Sequence, residues 1–130
     1  MSAENLDLIR RGYEAFGRGD ITTVLGILDP TIHWHVPGRS PLSGDYQGHD
    51  EVITFFTKTQ ELAAGTFSIE INDILASKQR VVVLCTVSAQ RNGQDWSNPE
   101  VHVWRVMNGQ AVEFREYQGD QQAEDEFWSR

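Results

Sequence analysis

The sequence predicts an α+β fold, and three observations carry that expectation. Leu6, Ile9, Tyr13 and Phe16 recur near the N-terminus at the spacing of one helix face. From Thr66 onward the period changes to two, with Phe67, Ile69 and Ile71 alternating against Ser68, Glu70 and Asn72. Asn92-Gly93 and Asn108-Gly109 then separate strand-like runs, the strongest short-range hairpin cue. Helices first and an antiparallel meander afterwards place the helices on one face of a sheet.

The first helix begins near Ser2 or Ala3 and ends at Gly17 and Gly19, because glycine accepts the left-handed cap conformation. Asp20 caps a short second helix that turns Ile21, Val24, Leu25 and Leu28 inward, and Asp29-Pro30 is expected to stop it. Ile32 to Val36 reads as a strand, with Ile32, Trp34 and Val36 on one face and His33 and His35 on the other. Pro37 to Asp50 reads as a loop. His49 or Asp50 caps a third helix with Val52, Ile53, Phe56 and Leu62 as its apolar side, terminated by Gly65. Three strands follow, Arg80 to Gln90 and two more at about 94–107 and 111–118. Asp120 caps a closing helical turn that ends in Phe127-Trp128.

A chain of 130 residues with no internal repeat is one domain, large enough to fold without covalent staples. Its single cysteine, Cys85, lies in an apolar strand, so it reads as a packed thiol in a reducing compartment. The net charge of -8 argues against a nucleic-acid footprint. No apolar run approaches a membrane span, and the start lacks a basic segment followed by an apolar core. A cytoplasmic protein without membrane or nucleic-acid partners is the expectation.

Four segments carry a resemblance to a known family. They are Tyr13-Glu14-Ala15-Phe16 with Gly19-Asp20, Trp34-His35-Val36-Pro37-Gly38, Tyr46-Gln47-Gly48-His49-Asp50, and the paired strands from Val101 to Tyr117 around Asn108-Gly109. In this order they resemble the SnoaL-like and ketosteroid-isomerase-like members of the nuclear transport factor 2 (NTF2-like) superfamily. The resemblance implies a cone, a curved and mostly antiparallel sheet wrapped around about three helices, with a pocket inside. It also implies a homodimer through the outer sheet face, for which Trp96, Val101 and Val103 offer an apolar patch.

The family's catalytic carboxylates do not transfer. Val36 stands before Pro37, where the isomerase branch carries its basic aspartate. Gly119 stands where the cyclase branch carries its own, with Asp120 one residue later. His102 best matches the late-strand aspartate, through its alternation with Trp104 and Val106.

Within that pocket, His102 is the candidate general acid/base, because imidazole titrates near neutral pH. Tyr13 and Tyr46 are the candidate polarisers of a ligand carbonyl. Phe16, Trp34, Val36, Phe56 and Trp104 are expected to form the apolar wall, and Arg115 and Tyr117 to face inward from the last strand. For His102 and Tyr13 the alternative is a packed side chain hydrogen-bonded for structure. His33-x-His35 is a weak metal pattern that needs a third ligand, so no metal is expected. No phosphate loop, nucleophile elbow or Cys-x-x-Cys motif is present, and no cofactor is expected. Two functions fit. One is cofactor-independent proton transfer, of isomerase, dehydratase or cyclase type, on a small hydrophobic ligand bearing a carbonyl or hydroxyl. The other is a non-catalytic module that binds a ligand or a protein.

Overall fold

The computed structural model describes residues 2–130. Two helices open the chain, α1 (Ser2–Gly17) and α2 (Ile21–Ile27). Strands β1 (Leu28–Val36) and β2 (Gly44–Gln47) lead into α3 (Gly48–Ala63). The second half is β3 (Ser68–Ala76), β4 (Arg80–Arg91), β5 (Gln94–Met107), β6 (Gln110–Gln118) and α4 (Gln121–Trp128). The six strands form one sheet in the order β2-β1-β6-β5-β4-β3. Every neighbouring pair is antiparallel except β1 and β6. Among the described residues, no helix is long and apolar enough to cross a membrane.

Local chemistry explains the element ends. The Asp20 side chain accepts from Thr23 N at 3.1 Å and starts α2, while Asp120 accepts from Ala123 N at 3.0 Å and starts α4. Both Asn-Gly turns have positive φ at each residue, 54° and 75° for Asn92 and Gly93, 52° and 76° for Asn108 and Gly109. That conformation matches the right-handed twist of the strands it joins.

Several boundaries differ from the sequence expectation. Helix α2 ends at Ile27, and Asp29-Pro30 lie inside β1. The proline is tolerated because β1 and β6 lose regular pairing between Leu28 and His33. The expected loop contains β2, too short to show a period, which pairs Tyr46 with Trp34. Helix α3 begins at Gly48 without a side-chain cap, and His49 Nε2 instead donates to the Leu28 carbonyl at 2.9 Å. Its buried face is Val52, Phe55, Phe56, Thr59 and Ala63, whereas Ile53 is exposed.

One irregularity decides which side chains face inward. A regular two-residue turn pairing Met107 with Gln110 would carry His102 opposite Arg115. Instead Val106 pairs with Ala111 and Arg105 with Glu113, so Val112 is an extra residue in β6. His102 therefore lies opposite Glu116. A one-residue shift exchanges the two faces of a strand. Phe114 and Glu116 are buried, while Tyr117 is 51 % exposed on the outer side. The inward placement expected for Arg115 and Tyr117 is thus corrected to an outward one.

Parity also removes Trp96 from the outer patch. It shares the inner face of β5 with Asn98, Glu100 and His102, and it stacks on Phe127 of α4 with ring centroids 4.6 Å apart.

Candidate functional site: a buried proton chain at the end of an aromatic cavity

Helices α1, α2 and α3 and the inner sheet face enclose a cavity of about 80 Å³. Its wall is almost entirely carbon, much of it aromatic. Trp34 stacks on Phe114 at 3.9 Å and meets Trp104 and Phe56 edge-on at 5.5 and 5.6 Å. Phe16 packs against Phe56 at 5.3 Å. Such rings alternate on strands and recur on helix faces because each element turns one side to the core. The volume is smaller than the roughly 150 Å³ that holds a benzene molecule, so a ring-sized ligand enters only if the walls yield.

The polar end of the cavity is formed by Tyr13, His102 and Glu116. Tyr13 Oη lies 2.5 Å from His102 Nδ1, and the Trp104 indole N–H donates to the same oxygen at 3.1 Å. On the far side of the imidazole, Nε2 lies 2.8 Å from Glu100 Oε1 and 4.0 Å from Glu116 Oε1. The network continues away from the cavity. Gln118 Nε2 donates to Glu116 at 2.5 Å, Asn98 donates to Gln118 at 2.9 Å, and Trp128 Nε1 donates to Glu124 at 2.9 Å.

Burial sets the electrostatics. Glu100, His102, Glu116 and Glu124 are 4, 3, 8 and 7 % exposed. Burial pushes the Glu100 carboxyl up to about 8, against hydrogen bonds from Gln118 and Glu116 that favour its charged form. Glu124 is likewise pushed up to about 8, by burial and then by the nearby Glu100. Glu116 is raised well above the usual carboxylate range by burial and by Glu100. Oxygens of these three carboxyls lie within 4.8 Å of one another, and no three like charges this close ionise together. Burial lowers His102 to about 4 despite the pull of Glu116, so the imidazole is neutral at pH 7. Burial also raises Tyr13 well above its ordinary value, keeping the phenol protonated.

A neutral imidazole donates from one nitrogen and accepts at the other. Two proton arrangements satisfy the chain. With Glu100 ionised, His102 Nε2–H donates to it and Tyr13 O–H donates to Nδ1. With Glu100 protonated, its O–H donates to Nε2, Nδ1–H donates to the Tyr13 oxygen, and the Tyr13 hydrogen is free for a ligand. The imidazole tautomer thus decides whether Tyr13 is available as a donor, and a protonated Glu100 permits the tautomer that frees it.

The other candidate residues lie elsewhere. Tyr46 is buried, but its hydroxyl donates to the Leu42 carbonyl at 2.8 Å and does not line the cavity. Val36 is buried outside the cavity wall. His33 and His35 face outward and share Asp45, with Nε2 at 3.5 Å and Nδ1 at 2.6 Å from Oδ1. The hydrogen bond from His35 lowers the Asp45 carboxyl. Cys85 is a buried thiol pushed up to about 12, chiefly by burial. Gly119 cannot carry a side chain, since an added Cβ would lie 2.6 Å from Pro99 Cγ and 2.8 Å from the Pro99 carbonyl oxygen. Asp120 serves as the α4 cap.

Sequence reasoning passed over Glu100 and Glu116. Glu100 is two residues before His102 and therefore shares its face, a signal that was present. Glu116 depends on the β6 bulge, which leaves no clear mark in the residues.

The model of the SnoaL-like domain matches residues 9–114 of this chain. The chain is 33 % identical to Bal32a, from a soil-derived mobile gene cassette, with a TM-score of 0.94 and 98 % of each chain covered. It is 34 % identical to an NTF2-like protein of Burkholderia pseudomallei K96243, with a TM-score of 0.90 and 100 % of each chain covered. An uncharacterised Mycobacterium tuberculosis protein is 29 % identical over 126 residues, 96 % of either chain. A domain match over most of the length and two solved neighbours of the same architecture agree with the cone built above. This chain belongs to the SnoaL-like family and folds as an NTF2-like cone.

Proposed function

We propose that this protein binds a small, neutral, mostly apolar molecule and moves a proton on it without a cofactor. The observation that carries this reading is the meeting of Tyr13, His102 and Glu116 at one end of an otherwise carbon-lined cavity. Tyr13, with its hydrogen free, donates to a ligand oxygen. Glu116 in its ionised form takes a proton from the adjacent ligand carbon, and returns it to another position. Because burial disfavours the charged carboxylate, that form is a scarce but strong base, the usual compromise of a buried acid/base. His102 is the residue through which Glu100 sets the state of Tyr13. Phe16, Trp34, Phe56 and Trp104 hold the ligand by apolar contact.

Proton transfer is testable without knowing the natural substrate. The protein in D₂O is expected to exchange the hydrogens next to the carbonyl of cyclohexanone or cyclohex-2-enone, read by loss of their proton NMR signals. Glu116→Gln and Tyr13→Phe are each expected to slow exchange by about 10²-fold or more. Exchange no faster than in buffer, with the probes demonstrably bound, would leave the non-catalytic binding module as the function.

The outer sheet face supports a homodimer. Leu84, Val101 and Tyr117 are aligned across β4, β5 and β6, and Leu84 and Tyr117 are exposed. An apolar row of this kind is what a two-fold interface covers. Light scattering should report a dimer that Leu84→Glu with Tyr117→Glu converts to a monomer; an unchanged mass would exclude this face. A single buried thiol is in keeping with a cytoplasmic location.

A further inference from the structure

The His33-x-His35 pattern needs a third ligand, and strand β2 supplies one. Both imidazoles project from the outer face of β1, because residues two apart on a strand share a side. β2 pairs with β1 in a register that sets Asp45 directly opposite His35. One carboxylate oxygen, Asp45 Oδ1, then lies 2.6 Å from His35 Nδ1 and 3.5 Å from His33 Nε2. On the other side of β1, β6 sets Glu113 beside His33 and Arg115 beside His35.

We propose that His33, His35 and Asp45 chelate a divalent transition-metal ion of the zinc class on the outer face of the sheet. Two imidazoles and one carboxylate suit Zn²⁺, Ni²⁺ or Cu²⁺, whereas Mg²⁺ and Ca²⁺ favour oxygen donors alone. The donors around a tetrahedral zinc lie roughly 3.3 Å apart. The His33–Asp45 separation of 3.5 Å is close to that spacing. Between His35 and Asp45 the ion takes the place of the hydrogen-bonding proton, and the two groups part slightly. The side chains of His33 and Asp45 are 56 and 65 % exposed, so turning them onto the ion displaces only water. Glu113 offsets the charge that Arg115 brings to the same face. Because β2 is a four-residue edge strand, an ion shared with β1 clips the margin of the sheet. The site faces away from the aromatic cavity, so it stands apart from the ligand reading.

A second group of donors lies elsewhere: Cys85, Glu100 and His102 are close enough to share an ion, but all three are buried and hydrogen-bonded to one another. The test therefore tells the two places apart. Zinc chloride is titrated by calorimetry into metal-stripped protein at pH about 7.5, above the ordinary imidazole value. One ion per chain is expected to bind with micromolar affinity, and magnesium chloride is expected not to bind comparably. His33→Ala, His35→Ala and Asp45→Asn should each weaken zinc binding by about tenfold or more. With nitrogen-labelled histidine, the ring resonances of His33 and His35 should move on adding zinc while those of His49 and His102 stay in place. That readout uses the unaltered protein. Zinc should also raise the melting temperature of the wild-type protein and leave that of His35→Ala unchanged.

Zinc bound equally well by His33→Ala and His35→Ala overturns the proposal. Movement of the His102 ring resonances does so too, since it would locate the ion in the buried group. One ion for every two chains would place it between copies and refute a chelate within a single chain. If neither heat nor a resonance shift appears at millimolar zinc, or if magnesium matches zinc, these three residues are a surface ion-pair cluster and no transition-metal site.

Discussion

Raising the pH from about 6 to 9 lowers the melting temperature of this protein, by on the order of 10 °C. The cause is the trio Glu100, Glu116 and Glu124, whose folded-state carboxyls are all raised by burial. In the unfolded chain each ionises at an ordinary value near 4.5. Between that value and the folded one, the native state holds more protons than the unfolded state. Stability is then fully present below the unfolded value and is lost as pH climbs through the folded one, near 8 for Glu100 and Glu124. A tenfold difference in proton affinity between the two states is worth about 1.4 kcal/mol, so the group together costs a few kcal/mol across the interval. His102 works in the opposite direction but in another window. Its depressed value means that stability is lost as pH falls from 6.5 toward about 4. Above pH 6.5 its contribution is constant, so the slope there belongs to the carboxyls. Glu124→Gln keeps an acceptor for the Trp128 indole and leaves the cavity untouched. It is expected to flatten the curve by about a third. Thermal melts at a series of pH values decide the matter, and a melting point that is level or rising from pH 6 to 9 would show that these groups are not held protonated.

The second large effect concerns binding. A neutral carbonyl ligand such as acetophenone is expected to bind well at pH 6 to 7 and to weaken about tenfold as pH passes 8. Protonated Glu100 donates to His102 Nε2, which turns the imidazole so that Nδ1–H serves Tyr13 and frees the tyrosine hydrogen. Ionised Glu100 reverses the imidazole and commits that hydrogen to Nδ1. Glu100→Gln places an N–H where the carboxylic hydrogen stood, so it fixes the favourable tautomer at every pH. Its affinity should therefore be high and independent of pH across the range. Tyr13→Phe should be weak and equally independent. If Glu100→Gln retains the wild-type pH profile, titration of Glu100 does not govern the site, and the coupling through His102 is refuted.

The wall of the cavity was legible because its residues obey simple periods. Tyr13 and Phe16 lie three apart on α1, Trp34 faces inward from β1, and His102 and Trp104 alternate on β5. Glu100 obeys the same alternation two residues earlier, but alternation alone does not tell a buried glutamate from a solvated one. Tyr46 and Val36 share the inward face but stop short of the cavity, a distance along the sheet that periodicity does not measure. Arg115 and Tyr117 mark a different failure. Both faces of the last strand mix polar and apolar groups, so periodicity could not choose between them, and the register past the extra Val112 puts Arg115 and Tyr117 outward.

Apolar period, capping residues and Asn-Gly turns belong to neighbours in the chain, and they specified the helical and strand-rich segments, their order and the family. Which carboxyls gather around His102 was settled only when β5, β6 and α4 packed together, since Glu100, Glu116 and Glu124 stand on three separate elements. Their shared protons arise from mutual proximity in a water-free interior, and that depends on strand register and helix docking. A bulge of one residue moves Glu116 from solvent into the cavity, and with it the chemistry the cavity can perform.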